Sequence, residues 1–247
     1  LEFRRVLFRS QAWLNKDREW SGGYCSRTRK SSLTKVVPLT LLLTALVLGG
    51  VGLLSGGGVP GLVSGALGGL VFGLIFCGIY LAILTANLSP ARYTRKLEQS
   101  VREFSMDETE REQLGKEMLA ALEDDKGVVS YQMTGPNSKG TPARVILTPH
   151  YILQEGSTPY AVLIRLSDIA EIRTGAERKI ATTRGGSSKT HHYFTLYSIG
   201  FYRKDRFERG LDGNDLPDCA MGFFQEELRD EVVKRMQDGG LRVVSAE

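Results

Sequence analysis

Tryptophan, histidine and cysteine are scarce in this chain: two, three and three among 247 residues. The cysteines, Cys25, Cys77 and Cys219, lie far apart. That spacing excludes a disulfide framework and a zinc knuckle and fits a reducing compartment. Long Lys/Arg runs are missing and the net charge is only +4, so no nucleic-acid partner is indicated. The deepest absence is local. From Val36 to Leu88 there is no Asp, Glu, Lys or Arg. The mean hydropathy of -0.15 conceals this, because it averages a very apolar block with a polar remainder.

Residues 36–88 are too many for one core helix and enough for two bilayer crossings, since one crossing takes about 20 apolar residues. The run of Ser55, three glycines, Val59, Pro60 and Gly61 interrupts it. The pattern predicts two transmembrane helices, about 36–54 and 61–87, joined by a tight loop. Gly61, Gly65, Gly69 and Gly73 repeat every four residues and share one helix face. In lipid such small residues let backbones approach. This face is therefore expected to pack on the first helix or on a second copy of the chain. A pore would need a polar lining, and only Ser64, Thr85 and Asn87 offer one in the second helix. Arg27, Arg29, Lys30 and Lys35 precede the hairpin, and Arg92, Arg95 and Lys96 follow it. Basic flanks on both sides place both termini in the cytoplasm.

Leu7-Phe-Arg-Ser10 is what CTC TTC CGA TCT encodes, a string resembling the end of a sequencing adapter, and Leu1 stands where an initiator Met is usual. Residues 1–10 are read as an assembly artefact and set aside. Residues 11–35 read as a flexible basic arm. After the hairpin, Ser89 and Pro90 form a helix-start signal. Tyr93, Leu97, Val101 and Phe104 then recur at helical spacing. Ser105 and Glu108 match a capping box opening a second helix to about Asp124, striped by Leu114, Met118 and Leu122.

From Val128 the period shortens. Strands are predicted at 128–134, 143–148, 151–155, 160–166, 169–173 and 190–202. Between the last two, 175–188 reads as a polar loop, and 205–218 as irregular. Phe224, Leu228, Val232 and Met236 define a final amphipathic helix, stopped by Gly239 and Gly240. The fold class is α+β: a two-helix membrane hairpin, connecting helices over 89–126, and a strongly bent antiparallel sheet or barrel over 127–247, capped by the C-terminal helix.

Two segments carry a resemblance. Val145-Ile-Leu-Thr148-Pro-His-Tyr-Ile152, followed by Leu163-Ile-Arg-Leu166-Ser-Asp168-Ile169-Ala-Glu-Ile172, resembles the core of bacterial membrane-associated PH-like domains. There a strand ends in Thr or Ser, a turn follows, and the next strand leads into a Leu-x-Asp-Ile-x-x-Ile segment. The resemblance spans roughly 128–238. It implies a PH-like architecture, often flanked by membrane helices, and assigns no binding residue.

No enzyme chemistry is expected. Arg184 to Thr190 lacks the Gly before Lys that a phosphate loop needs. His191 and His192 are adjacent, so on a strand they face opposite ways; His150 sits in a turn. Asp212 to Asp215 has a calcium-like composition without EF-hand spacing. No catalytic residue, metal or cofactor is assigned. Arg178, Lys179, Arg184 and Lys189 cluster on the predicted loop and are candidate contacts for anionic lipid or a partner. The expectation is a binding module held at the inner membrane, with the bilayer and a protein or peptide as partners. The alternative is a structural assembly of copies joined through the glycine face. An enzyme would be indicated by a deep pocket holding two or more of His150, Asp168, His191 and Asp212.

Overall fold

The computed structural model describes residues 3–124, 126–135, 140–156, 160–185, 188–207 and 216–245, with side chains omitted for 3–8 and 183–188. The chain forms two compact units, one of residues 1–17 and 93–247, the other of residues 18–92.

The second unit is helical. Helix α1 (Phe3–Ser31) leads through a π-helical turn into α2 (Val37–Gly52), and α3 (Gly58–Asn87) follows a second such turn. Between them the backbone reverses at Gly56 and Gly58, whose φ values of 86° and 54° are open to glycine without strain. α2 and α3 pack along their length in antiparallel register, with small residues at the seam. A methyl group on Gly61 would collide with the Gly52 carbonyl, on Gly65 with that of Leu48, and on Gly69 with that of Thr44. On Gly73 it would meet the Thr44 hydroxyl at 2.5 Å. All four glycines of the repeat therefore face α2 of the same chain. The outward faces are apolar: Leu46, Leu54, Val59 and Val71 are 63, 88, 71 and 60 % exposed. Among the described residues, one helical stretch, Arg9–Glu103, is long and apolar enough to cross a membrane.

Basic residues close the end of α3. The Arg29 guanidinium donates to the carbonyls of Leu88 and Thr85, and Arg92 donates to the Ala86 carbonyl at 3.1 Å. These carbonyls have no helical partner of their own, and cations are favoured at a helix C-terminus. Ser32 and Tyr80 hydroxyls meet at 3.1 Å. The segment 11–35, expected as a flexible arm, is thus helical from end to end and buries Trp13, Asp17, Ser21, Cys25 and Ser32.

The first unit is α+β. β1 (Val128–Met133), β2 (Thr141–Leu147), β3 (Tyr151–Gly156) and β4 (Ala161–Arg165) form an antiparallel meander. β5 (Ile169–Gly185), β6 (Ser188–Arg203) and β7 (Cys219–Phe223) form a second meander, with β8 (Val243–Ser245) added parallel to β5. A short helix α6 (Lys204–Phe207) follows β6, and α7 (Glu226–Asp238) follows β7. Among the described residues no barrel closes: the sheets share no hydrogen-bonded strand pair. They pack through a common core of Val145, Ile152 and Ile164 against Ile199, Phe201, Met221 and Phe223, to which α7 adds Val232 and Met236. Buried Gln154 bridges the sheets, donating to the Tyr131 hydroxyl at 2.8 Å and the Gly222 carbonyl at 3.0 Å.

The other face of the first sheet is covered too. Ile146, Tyr151, Leu153 and Leu163 pack with Trp13 of α1, Leu97 of α4 (Pro90–Glu103) and Leu114, Met118 and Ala121 of α5 (Glu108–Glu123). The expected boundary at residue 127 is therefore too late. The helices before it and the residues around Trp13 complete the globular unit, and the backbone of Ser10 lies against Gly115. α5 begins two residues later than expected. Asp107, not Ser105, caps it by accepting from the Glu110 N–H at 2.7 Å, while Ser105 takes a positive φ in the turn that ends α4.

One further expectation gives way. The predicted polar loop 175–188 is the outer half of a long β5–β6 ribbon, paired from Gly175↔Ser198 to Gly185↔Ser188. β7 and β8 carried no expectation; β7 occupies residues directly after the segment read as irregular.

Candidate functional site

Three places on the globular unit concentrate polar chemistry. The first is a groove of about 500 Å³ along β4, lined by Ala161, Leu163 and Arg165 on its floor and by Phe104, Asp168, Arg203 and Cys219 at its sides. Arg165 organises it. Its guanidinium bonds Glu110 at 2.8 Å and Asp168 at 2.9 Å and lies 5.4 Å from the Phe104 ring centroid. The Tyr151 hydroxyl donates to the same Glu110 carboxylate at 3.2 Å. Burial pushes the Cys219 thiol up, which keeps it protonated and unreactive.

The second is the ribbon. Directly paired residues share a face, so Arg178, Ile180 and Thr182 stand with Lys189, His191, Tyr193 and Thr195. Ile180 and Tyr193 face each other across the ladder and are 57 % and 62 % exposed. Arg178 lies 5.4 Å from the Tyr193 ring centroid. Lys179 points to the opposite face and pairs with Glu177 at 2.7 Å. The structure therefore divides the four cations expected on one loop: Arg178 and Lys189 share a face, Lys179 does not, and the side chain of Arg184 lies outside the described residues. An open hollow of about 810 Å³, lined by Tyr193, Phe194, Tyr197 and Phe224 among others, lies at the ribbon's base.

The third is an internal charge cluster. Arg144 and Glu155 sit opposite one another on β2 and β3. Asp17 of α1 reaches the same guanidinium at 2.9 Å. All three are at most 5 % exposed. One buried cation meets two carboxylates there. Burial, with the nearby Asp17 charge, pushes the Glu155 carboxyl up to about 8, against the pull of Arg144. The sequence carried a weak signal for this: Arg144 and Glu155 interrupt otherwise apolar strands.

Among the described residues, those that would indicate an enzyme are not brought together. Asp168 lines the groove. His150 sits in the β2–β3 turn, where Nδ1 is 2.6 Å from Glu117. Burial works to raise the Glu117 carboxyl, but hydrogen bonds from Gln113, His150 and Thr148 outweigh it and hold it below its usual value. His191 lies on the ribbon beside Thr182 at 3.0 Å, and Asp212 lies outside the described residues. Among the described residues no group of three metal-ligating side chains forms. Comparison with protein-family models, curated proteins and solved structures finds no match.

Proposed function

We propose that this chain is a membrane-anchored, non-enzymatic binding module. In this reading α2 and α3 cross the inner membrane as a hairpin, both termini are cytoplasmic, and the globular unit is a PH-like domain presented at the membrane surface. One observation carries the proposal: the two helices spend their glycine seam on each other and leave Leu, Val, Ile and Phe on the outside. An apolar face of that extent is unfavourable in water and favourable in hydrocarbon. Arg29 and Arg92 at one end of the hairpin support a cytoplasmic exit. The order of elements, a four-stranded meander, a second meander and a helix packed on the core between them, supports the PH-like reading together with the resemblance of residues 145–172.

Tethering raises local concentration, so a weak site suffices for function. A second reading concerns lipid. The ribbon face bearing Arg178, Lys189, Ile180 and Tyr193 joins cations to exposed apolar side chains and has the character of an interfacial contact for an anionic bilayer. Each cation there contributes about 1 kcal/mol. A structural assembly through the glycine face remains the competing reading, and it requires that face to be available to a second copy.

The test is fractionation. The full chain should stay with membranes after alkaline carbonate washing, and protease outside sealed cells should leave the globular unit intact. Recovery in the soluble fraction without detergent, or cleavage of the globular unit from outside, would overturn the proposal.

A further inference from the structure

We infer that the open edge of β4 receives an extended peptide, which adds to the first sheet as another strand; this rests on the reading of the chain as a binding module. The phase of the β3–β4 ladder fixes which groups are open. The Leu166 N–H donates to the His150 carbonyl at 2.9 Å, and Leu153 is the partner of Leu163. In an antiparallel ladder, hydrogen-bonded and non-bonded pairs alternate. Ile164 and Val162 therefore turn their N–H and C=O toward β3, while Ala161, Leu163 and Arg165 turn theirs outward. The Ala161 carbonyl is already taken, accepting from the Ser100 hydroxyl at 3.3 Å. Among the described residues, the backbone N–H and C=O of Leu163 have no hydrogen-bond partner. Leu163 lines the groove and is 5 % exposed, so this pair is reached through the groove and not from a bare surface.

Edge strands of native proteins are ordinarily paired, covered or charged. Here α4 covers one end of the edge through Ser100, and the start of β7 at Cys219 lies across the groove without pairing to β4. What remains is a slot of about 500 Å³ whose floor offers a donor and an acceptor at strand spacing. An extended backbone matches both groups of Leu163 at once, which is the logic of strand addition. The walls choose against an anionic headgroup. Arg165 already pairs with Glu110 and Asp168, and Arg203 with Asp205. Phe104, Ile169 and Cys219 instead suit an apolar side chain, so the occupant is a largely uncharged peptide of alternating pattern with an apolar residue facing Phe104.

The experiment uses the full chain in nanodiscs and a phage-displayed library of random heptapeptides. Selected peptides are resynthesised and their affinity measured for the native chain and for Cys219→Trp, which fills the slot from its wall, and for Lys234→Gln, an exposed position on α7. N-methylation of alternate peptide amides should weaken binding about tenfold, by loss of the edge hydrogen bonds, while methylation of the intervening amides should not. Cys219→Trp should lower affinity at least as much and Lys234→Gln should not. Hydrogen exchange of residues 161–165 should slow on binding. Failure to select any binding peptide, binding that ignores N-methylation and Cys219→Trp, or protection of 161–165 by phosphatidylglycerol vesicles instead of peptide would each overturn the inference. Failure of the anchoring proposal is read separately, from the carbonate-washed membrane fraction.

Discussion

Glu155 makes the folded unit sensitive to alkali, and replacing it with Gln should remove that sensitivity. Its carboxyl is 4 % exposed and shares one guanidinium with Asp17. Burial holds its proton up to about 8, against an ordinary value of 4.5. Between those two pH values the folded chain holds a proton that the unfolded chain has lost, so stability falls as pH rises through that window and levels off above it. At 1.36 kcal/mol per pH unit of difference, the loss is on the order of 4 to 5 kcal/mol. Glu155→Gln keeps the size of the side chain and its ability to accept from Arg144 but has no proton to lose. At pH 9 the variant should therefore unfold above the native chain by about 10 °C, and the two should converge near pH 5. Trp13 provides the readout. It is 1 % exposed and packs in the cluster that joins α1 to the first sheet, so its fluorescence follows loss of this contact during heating in detergent. A native chain whose stability is flat or rising from pH 5 to pH 9, or a variant with the same downward slope, would refute the reasoning.

Arg144→Met leaves the buried Asp17 carboxylate without its cation and the Glu155 carboxyl without its donor, and should destabilise the unit by about 3 to 5 kcal/mol, measured by denaturant unfolding in detergent. Gly69→Leu places a side chain against the Thr44 carbonyl; proteolysis of α2 and α3 should accelerate while the detergent-solubilised mass stays the same, whereas a fall in mass would favour assembly through the glycine face. A fragment of residues 127–247 should aggregate or bind a hydrophobic dye, because it uncovers Ile146, Tyr151, Leu153 and Leu163; a monomeric fragment with sharp amide resonances would contradict the packing of α4 and α5 described here. Tyr193→Trp in nanodiscs should be quenched by brominated phosphatidylglycerol more than by brominated phosphatidylcholine if the ribbon meets an anionic surface, and quenching that ignores headgroup charge would remove the lipid reading.

Much of this was open to inspection in the order of residues, because it depended on local chemistry. A charge-free run with a glycine break marks two apolar helices wherever it occurs. Most strand positions followed from runs of apolar and β-branched side chains such as 143–148 and 151–155. The ribbon escaped because both of its faces meet solvent, so polar residues and glycine give it no alternation to read. α1 escaped for the opposite reason: its basic residues suggested a solvated arm, while burial of Trp13 and Asp17 depends on a sheet more than a hundred residues away. The order of residues alone determined where lipid-compatible surface begins and ends, since transfer free energy is a property of each side chain. Only the tertiary structure decided that Arg144, Glu155 and Asp17 share one site and that, among the described residues, β4 keeps an unpaired edge. Those are matters of which strands and helices become neighbours, and no local propensity specifies that.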